Sequence, residues 1–212
     1  MIDKKKQLEQ LKKNLESKAG KIPLLTKPSE VIFGEGNPDA KVFFIGEAGG
    51  YWEAQLRRPF VGNAGKLLDK LIESIGLKRE ETYITNVVKT RPPSNRDPLP
   101  EEIEAFKYYL DEEIKIIGPE IIVTLGRFSM NKFLPNEFIS KTHGQARFVE
   151  ILGKRRIVIP MYHPAAALRS GQVMTDLKAD FQKIKKFLGG EIIEDKSSSA
   201  KASEDMQLSL IN

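Results

Sequence analysis

The stretch 31-VIFGEGNPDAKVFFIGEAGG-50 decides the reading of this chain. A short apolar segment leads into a Gly/Asn/Pro turn, and the near-continuous apolar run from Val42 to Ile45 ends on glycines. Such a run fits a strand buried on both faces, as in a parallel sheet. Outward from it, Ala64, Leu67, Leu68, Leu71, Ile72 and Ile75 recur at helical spacing. Tyr83 to Val88 is strand-like, and 92-PPSNRDPLP-100 is a turn-rich loop. Pro100-Glu101-Glu102 opens a helix, with proline at a permitted position and acidic residues favouring the N-terminal dipole. Ile121 to Leu125 reads as a third buried strand and Arg127 to Phe133 as a short helix. Arg147 to Leu152 and Arg156 to Ile159 read as strands joined at Gly153, and residues 174–188 as the last helix. Before all of these, Leu8, Leu11 and Leu15 form the stripe of an amphipathic helix over residues 3–18. Strand and helix alternate along the core. The expectation is an α/β fold, with helices on both sides of a mostly parallel sheet.

The alternation covers residues 1–188, expected to be one domain. Residues 189–212 lack apolar periodicity and are expected to form a flexible tail. With 34 Lys plus Arg against 29 Asp plus Glu, the formal net charge is +5. That balance admits a nucleic-acid partner but does not demand one. No cysteine occurs, which excludes disulfides, thiolate nucleophiles, Cys-ligated zinc and cysteine-held iron–sulfur clusters; with only His143 and His163, a His-rich metal site is disfavoured as well. No apolar run approaches the roughly 20 residues that span a bilayer. No apolar segment follows Lys4-Lys5-Lys6, so a cytoplasmic protein without membrane contact is expected.

In open parallel sheets, ligands bind beyond the carboxyl ends of the strands. Segments after the strand candidates therefore gather Glu47, Asn86 and His163 at one rim. Each has a plain reading when taken alone. A Gly-rich turn such as 46-GEAGG-50 is more often a tight connection than a site, and it is neither a dinucleotide fingerprint nor a phosphate loop. A loop phenylalanine such as Phe60 is usually core. Asn86 inside an apolar strand pattern needs hydrogen-bond partners, which a structural amide also finds. A lone histidine is more often structural than catalytic.

Taken together, FGEG at 33–36, GEA-G at 46–50, RPFVGNAG at 58–65, NVVKTRPPSNR at 86–96 and HPAAALR at 163–169 resemble the uracil-DNA glycosylase superfamily, most closely its family 4. The resemblance spans residues 31–188 and implies a central four-stranded parallel sheet between helices. It implies a monofunctional enzyme that hydrolyses the N-glycosidic bond of deoxyuridine flipped out of DNA. Gly46, Ala48, Phe60 and Asn86 would hold the base, with Phe60 stacked on the ring and Asn86 reading its O4 and N3–H edge. His163 would donate to O2, and Glu47 would act near the sugar. Ala48 falls where other families carry a catalytic Asp or Asn, which leaves Glu47 as the acidic candidate of that motif. Arg58, Lys89, Arg91, Leu168 and Arg169, with Arg57, Arg96 and Lys141 nearby, would contact DNA, Leu168 as an apolar wedge. Uracil-containing DNA is thus the expected partner, and the protein is expected to act as a monomer.

The chain also departs from the family. The four cysteines that hold a [4Fe–4S] cluster in family 4 align with Ala19, Ile22, Thr90 and Phe106. No cofactor is therefore expected, with hydrophobic packing in the cluster's place. Gly49 stands where the family has proline, which would loosen the loop. Tyr51 and Trp52 replace an acidic stretch, either as a wall against the thymine methyl or as packing. Two other functions stay open at this point: a non-catalytic uracil- or DNA-binding module, and a glycosylase broadened toward hypoxanthine or xanthine.

Overall fold

The computed structural model describes residues 3–188. The tail expected at 189–212 lies outside the described residues. Within them a six-stranded sheet is built from β1 (Glu35–Gly36), β2 (Val42–Gly46), β3 (Tyr83–Asn86), β4 (Ile121–Leu125), β5 (Arg147–Ile151) and β6 (Lys154–Met161). Their spatial order is β1-β3-β2-β4-β6-β5. The inner four strands are parallel, and each edge strand pairs antiparallel with its neighbour. The four parallel strands and β5 are those that the sequence suggests; β1, of two residues, is too short to carry a period-two signal.

All five residues of β2 are buried, because both faces of the sheet are covered. Phe43 and Ile45 point into one apolar layer, with Leu8, Leu11 and Leu15 of α1 (Lys4–Glu16). Phe106, Leu110 and Ile114 complete that layer; they belong to the long helix Pro100–Ile117. Val42 and Phe44 point the other way, onto Leu68 and Ile72 of the helix Asn63–Ser74 and Phe181 of the helix Gly171–Leu188. The Phe44 and Phe181 rings stack at 5.9 Å, and Phe43 stacks on Tyr83 at 5.1 Å. Helix, sheet and helix thus form three layers. Counting the short helix Tyr51–Leu56 as α2, the helices Asn63–Ser74 and Pro100–Ile117 are α3 and α4, Arg127–Asn131 and Ile139–Thr142 are α5 and α6, and Pro164–Ala167 and Gly171–Leu188 are α7 and α8.

Because β2, β3, β4 and β6 run the same way, their carboxyl ends open on one edge. The segments that follow them begin at Glu47, Val87, Gly126 and Tyr162. No helix among the described residues is long and apolar enough to cross a membrane.

Candidate active site

A cavity of about 320 Å³ opens at that edge, lined by Glu47, Ala48, Phe60, Asn86, His163 and Arg169 among others. Residues from four separate segments of the chain therefore converge on one space.

Asn86 is the last residue of β3 and is 1% exposed. Neither its Nδ2 nor its Oδ1 has a hydrogen-bond partner in the protein. An unpaired buried amide group costs about 1–3 kcal/mol, so a donor and an acceptor facing one cavity mark a place where a ligand edge completes the bonding. Gly46 makes the arrangement possible. A Cβ there would lie 2.4 Å from Asn86 Oδ1 and 2.5 Å from the Phe60 ring.

Phe60 adopts a left-handed backbone, φ 53°, a conformation that costs a non-glycine residue about 1–3 kcal/mol unless its surroundings enforce it. The surroundings do so from three sides. Arg79 donates to the carbonyls of Pro59 and Phe60 at 2.7 and 3.1 Å. Gly65 lets the chain close up, since a Cβ there would sit 2.0 Å from the Phe60 carbonyl oxygen. Glu53 Oε1 accepts from the Val61 and Gly62 N–H groups at 2.9 and 2.8 Å, while its Oε2 accepts from Gly50 N–H at 3.2 Å. Glu53 thus ties the Phe60 loop to the glycine loop after β2, and it lines the cavity itself. Sequence reading passed over it; the signal available was an acidic residue surviving in a stretch that had otherwise lost its charge.

His163 caps α7, and its Nδ1 accepts the Ala165 N–H at 3.1 Å. That bond assigns the proton of the neutral ring to Nε2. Burial pulls its pKa down to about 4, so the ring is neutral at physiological pH. The imidazole stacks on Phe60 at 5.6 Å. Glu47, half-buried, is pushed up to about 7, first by burial and then by the charge of Asp97, with Arg127 opposing. Asp97 and Arg127 form an ion pair between the loop before α4 and the start of α5.

The basic residues divide. Arg169 lines the cavity, and Leu168 beside it is half exposed. Arg91 donates to Asn95 Oδ1 at 2.7 Å. Arg58 is turned into Glu35, donating from Nε and Nη2 at 2.7 and 3.0 Å. Arg57 pairs with Glu16 and with the Val31 and Pro28 carbonyls, so it fastens the N-terminal segment. Lys89 corrects the sequence reading. It is fully buried, ion-paired with Glu113 and donating to Thr85 Oγ1 at 2.6 Å, and cannot reach a phosphate.

Tyr51 and Trp52 do not wall the cavity; they pack on each other, edge to face at 5.2 Å. Both are exposed on the first turn of α2, outside the cavity lining. Gly49 does not leave its loop free either: its N–H donates to Thr90 O at 3.3 Å, a bond that proline cannot make, and a Cβ there would stand 2.2 Å from Ile32 Cδ1.

The matching family model is that of the uracil DNA glycosylase superfamily, over residues 33–188. The chain belongs to the uracil-DNA glycosylase superfamily. It is 47% identical over 175 residues to a Type-4 uracil-DNA glycosylase of Archaeoglobus fulgidus, covering 80% of this chain and 87% of that one. It is 45% identical to the Type-4 uracil-DNA glycosylase of Sulfurisphaera tokodaii, covering 84% and 83%, and 40% identical to that of Thermotoga maritima, covering 80% and 88%.

The residues present do not fit a cysteine-held cluster. No cysteine exists in the chain, and among the described residues no group of three His, Asp or Glu could hold a metal. Phe106 is fully buried in the α1–α4 apolar layer, with Ala19 and Ile22 packed against it, and Thr90 is buried beside a second cavity.

Proposed function

We propose that this superfamily member is a monofunctional uracil-DNA glycosylase that works as a monomer on uracil-containing DNA in the cytoplasm and holds no iron–sulfur cluster. One observation carries the reading: the unpaired amide of Asn86 faces the cavity beside Phe60 and His163.

The base must leave the duplex before its glycosidic bond can be reached. Asn86 Nδ2 then donates to uracil O4, and Oδ1 accepts from N3–H. Cytosine presents the opposite pattern, leaving buried groups unpaired, a mismatch that polar pockets reject strongly. Phe60 stacks on the ring. As the C1′–N1 bond breaks, its electron pair moves into uracil and charge accumulates on O2, where the neutral His163 donates from Nε2. Positive charge grows on the sugar, and the Glu47 carboxylate stabilises it and orients water, as carboxylates do in glycoside hydrolysis. A pKa of about 7 suits Glu47 to taking that water's proton. Hydroxide joins C1′, and the proton finally goes to the uracil anion. The products are an abasic site and free uracil, with the strand intact.

Leu168 would fill the hole left by the extruded base, and Arg91 and Arg169 would hold phosphates. Arg58, already committed to Glu35, would serve at most as a second-rank contact. The non-catalytic module is disfavoured, since all four expected groups line one cavity and the relatives are named as glycosylases. The test is incubation with U·G and U·A duplexes, followed by chromatography for free uracil and by hot alkali. Uracil release with strands cut only after alkali is expected. Binding without either signal would refute it.

A further inference from the structure

Tyr51 and Trp52 take no part in the chemistry above, yet they are 51% and 60% exposed beside the cavity mouth. Gly50 before them and Glu53 after them both line the cavity. The two rings meet edge to face at 5.2 Å. The Arg91 guanidinium lies over the Tyr51 ring at 5.3 Å, held there by Asn95. Trp52 rests against the loop that carries Phe60: a Cβ on Gly62 would be 3.7 Å from its Cδ1. Beyond Pro92, which lines both spaces, a second cavity of about 790 Å³ opens, bordered by Arg57, Arg91, Gln55 and Ser94. An exposed tyrosine under an arginine, with a tryptophan beside it and two cavities that share Pro92, offers the stacking surface and positive charge that unstacked nucleobases bind.

We propose that Tyr51, Trp52 and Arg91 form a second nucleobase platform, which stacks an unpaired nucleotide flanking the extruded uridine. The proposal rests on the uracil-DNA reading for the identity of the polymer. A neighbouring base inside a duplex has both faces covered, so the platform engages single-stranded or locally melted DNA and favours it over duplex. Arg91 supplies both the stacking cation and a contact of complementary charge for the strand.

Trp52 is the sole tryptophan of the chain, so intrinsic fluorescence reports on this platform directly. The full chain is titrated with a thymine-only single-stranded octanucleotide, and binding is followed in parallel through an end label. Trp52 emission should be quenched in step with binding. In excision assays, Tyr51→Ala and Trp52→Ala should each raise KM for a single-stranded uracil substrate about tenfold, the effect of losing one stacked base, with kcat unchanged and a smaller effect on duplex. Circular dichroism checks that the variants are folded. Excision with unquenched Trp52, or KM unmoved in both variants, would overturn the platform and leave the glycosylase reading standing. Quenching without excision would keep the platform and overturn the glycosylase.

Discussion

At the scale of single residues, the site depends on two titratable groups pushed in opposite directions from their ordinary positions. If the ionised form of Glu47 is the active one, kcat/KM should rise with pH and level off above about 7. The His163 limb, at about 4, lies below that range. The Glu47 pKa is higher folded than unfolded, so the unfolded chain binds fewer protons between the two values, and stability falls as pH rises through that window. Glu47→Gln should therefore raise Tm at pH 8 more than at pH 4 while abolishing the rise in activity; thermal melts and rate profiles at both pH values check it. His163 runs the other way, because its neutral form is favoured by folding, and stability falls as pH drops below its unfolded value. The convergence of Glu47, Asn86 and His163 was legible because polar residues at or just after the ends of buried parallel strands gather at one rim. Phe60, in the loop between α2 and α3, was placed only by the family resemblance. The burial of Lys89 was not legible. A lysine next to a loop looks like rim charge, and its partner Glu113 lies 24 positions away on α4.

At the scale of elements, the cavity lined by Glu47, Phe60, Asn86 and His163 is held by close approach rather than by long loops. Gly46→Ala would drive a Cβ into the Phe60 ring and the Asn86 amide. Because Gly46 is buried in a central strand and cannot shift, activity should fall by about two orders of magnitude or more, a loss that a misplacement of about 1 Å can produce. Steady-state kinetics alongside circular dichroism separate that loss from unfolding. Glu53→Ala removes one acceptor from three backbone N–H groups, at about 1–3 kcal/mol for each one left buried and unpaired. A lowered Tm together with a raised KM is expected, and an unchanged KM would detach Glu53 from the Phe60 loop. Helices with several turns, α1, α3, α4 and α8, announce themselves by apolar spacing. The six-residue α2 does not, and the position of Tyr51 and Trp52 could not be read without it.

At the scale of the whole molecule, apolar packing occupies three of the positions that the resemblance to family 4 gives to cluster cysteines. The layer against α1 and α4 is closed by Phe106, Ala19 and Ile22, so stability should not depend on iron. Aerobically and anaerobically purified protein should lack visible absorption, and an iron chelator should leave Tm unmoved. Bound iron in either sample would contradict this. In the same layer, the pair Lys89–Glu113 is joined by Tyr83 OH and Gly34 N–H, each 3.2 Å from Glu113 Oε1. Breaking a buried pair on one side costs about 3–5 kcal/mol, whereas apolar replacement of both is often neutral. Lys89→Met should therefore lower denaturant stability far more than Lys89→Met combined with Glu113→Gln, which removes the unpaired charge and keeps an acceptor for Tyr83 OH and Gly34 N–H, without a comparable change in DNA affinity. The parallel direction of the four inner strands followed from the βα alternation, whereas their spatial order was not legible. The β5–β6 hairpin was legible from the turn at Gly153, but the antiparallel edge formed by the two-residue β1 was not.

The proposed activity turns on recognition of uracil by the Asn86 amide. Wild type and Asn86→Ala should be compared on one end-labelled oligonucleotide carrying a single deoxyuridine, with binding and alkali-labile cleavage measured in the same samples. Equal binding, with excision slowed by about two orders of magnitude or more, is the expected result for two bonds to the base lost from a buried polar site. Excision at the wild-type rate by the variant would contradict the claim.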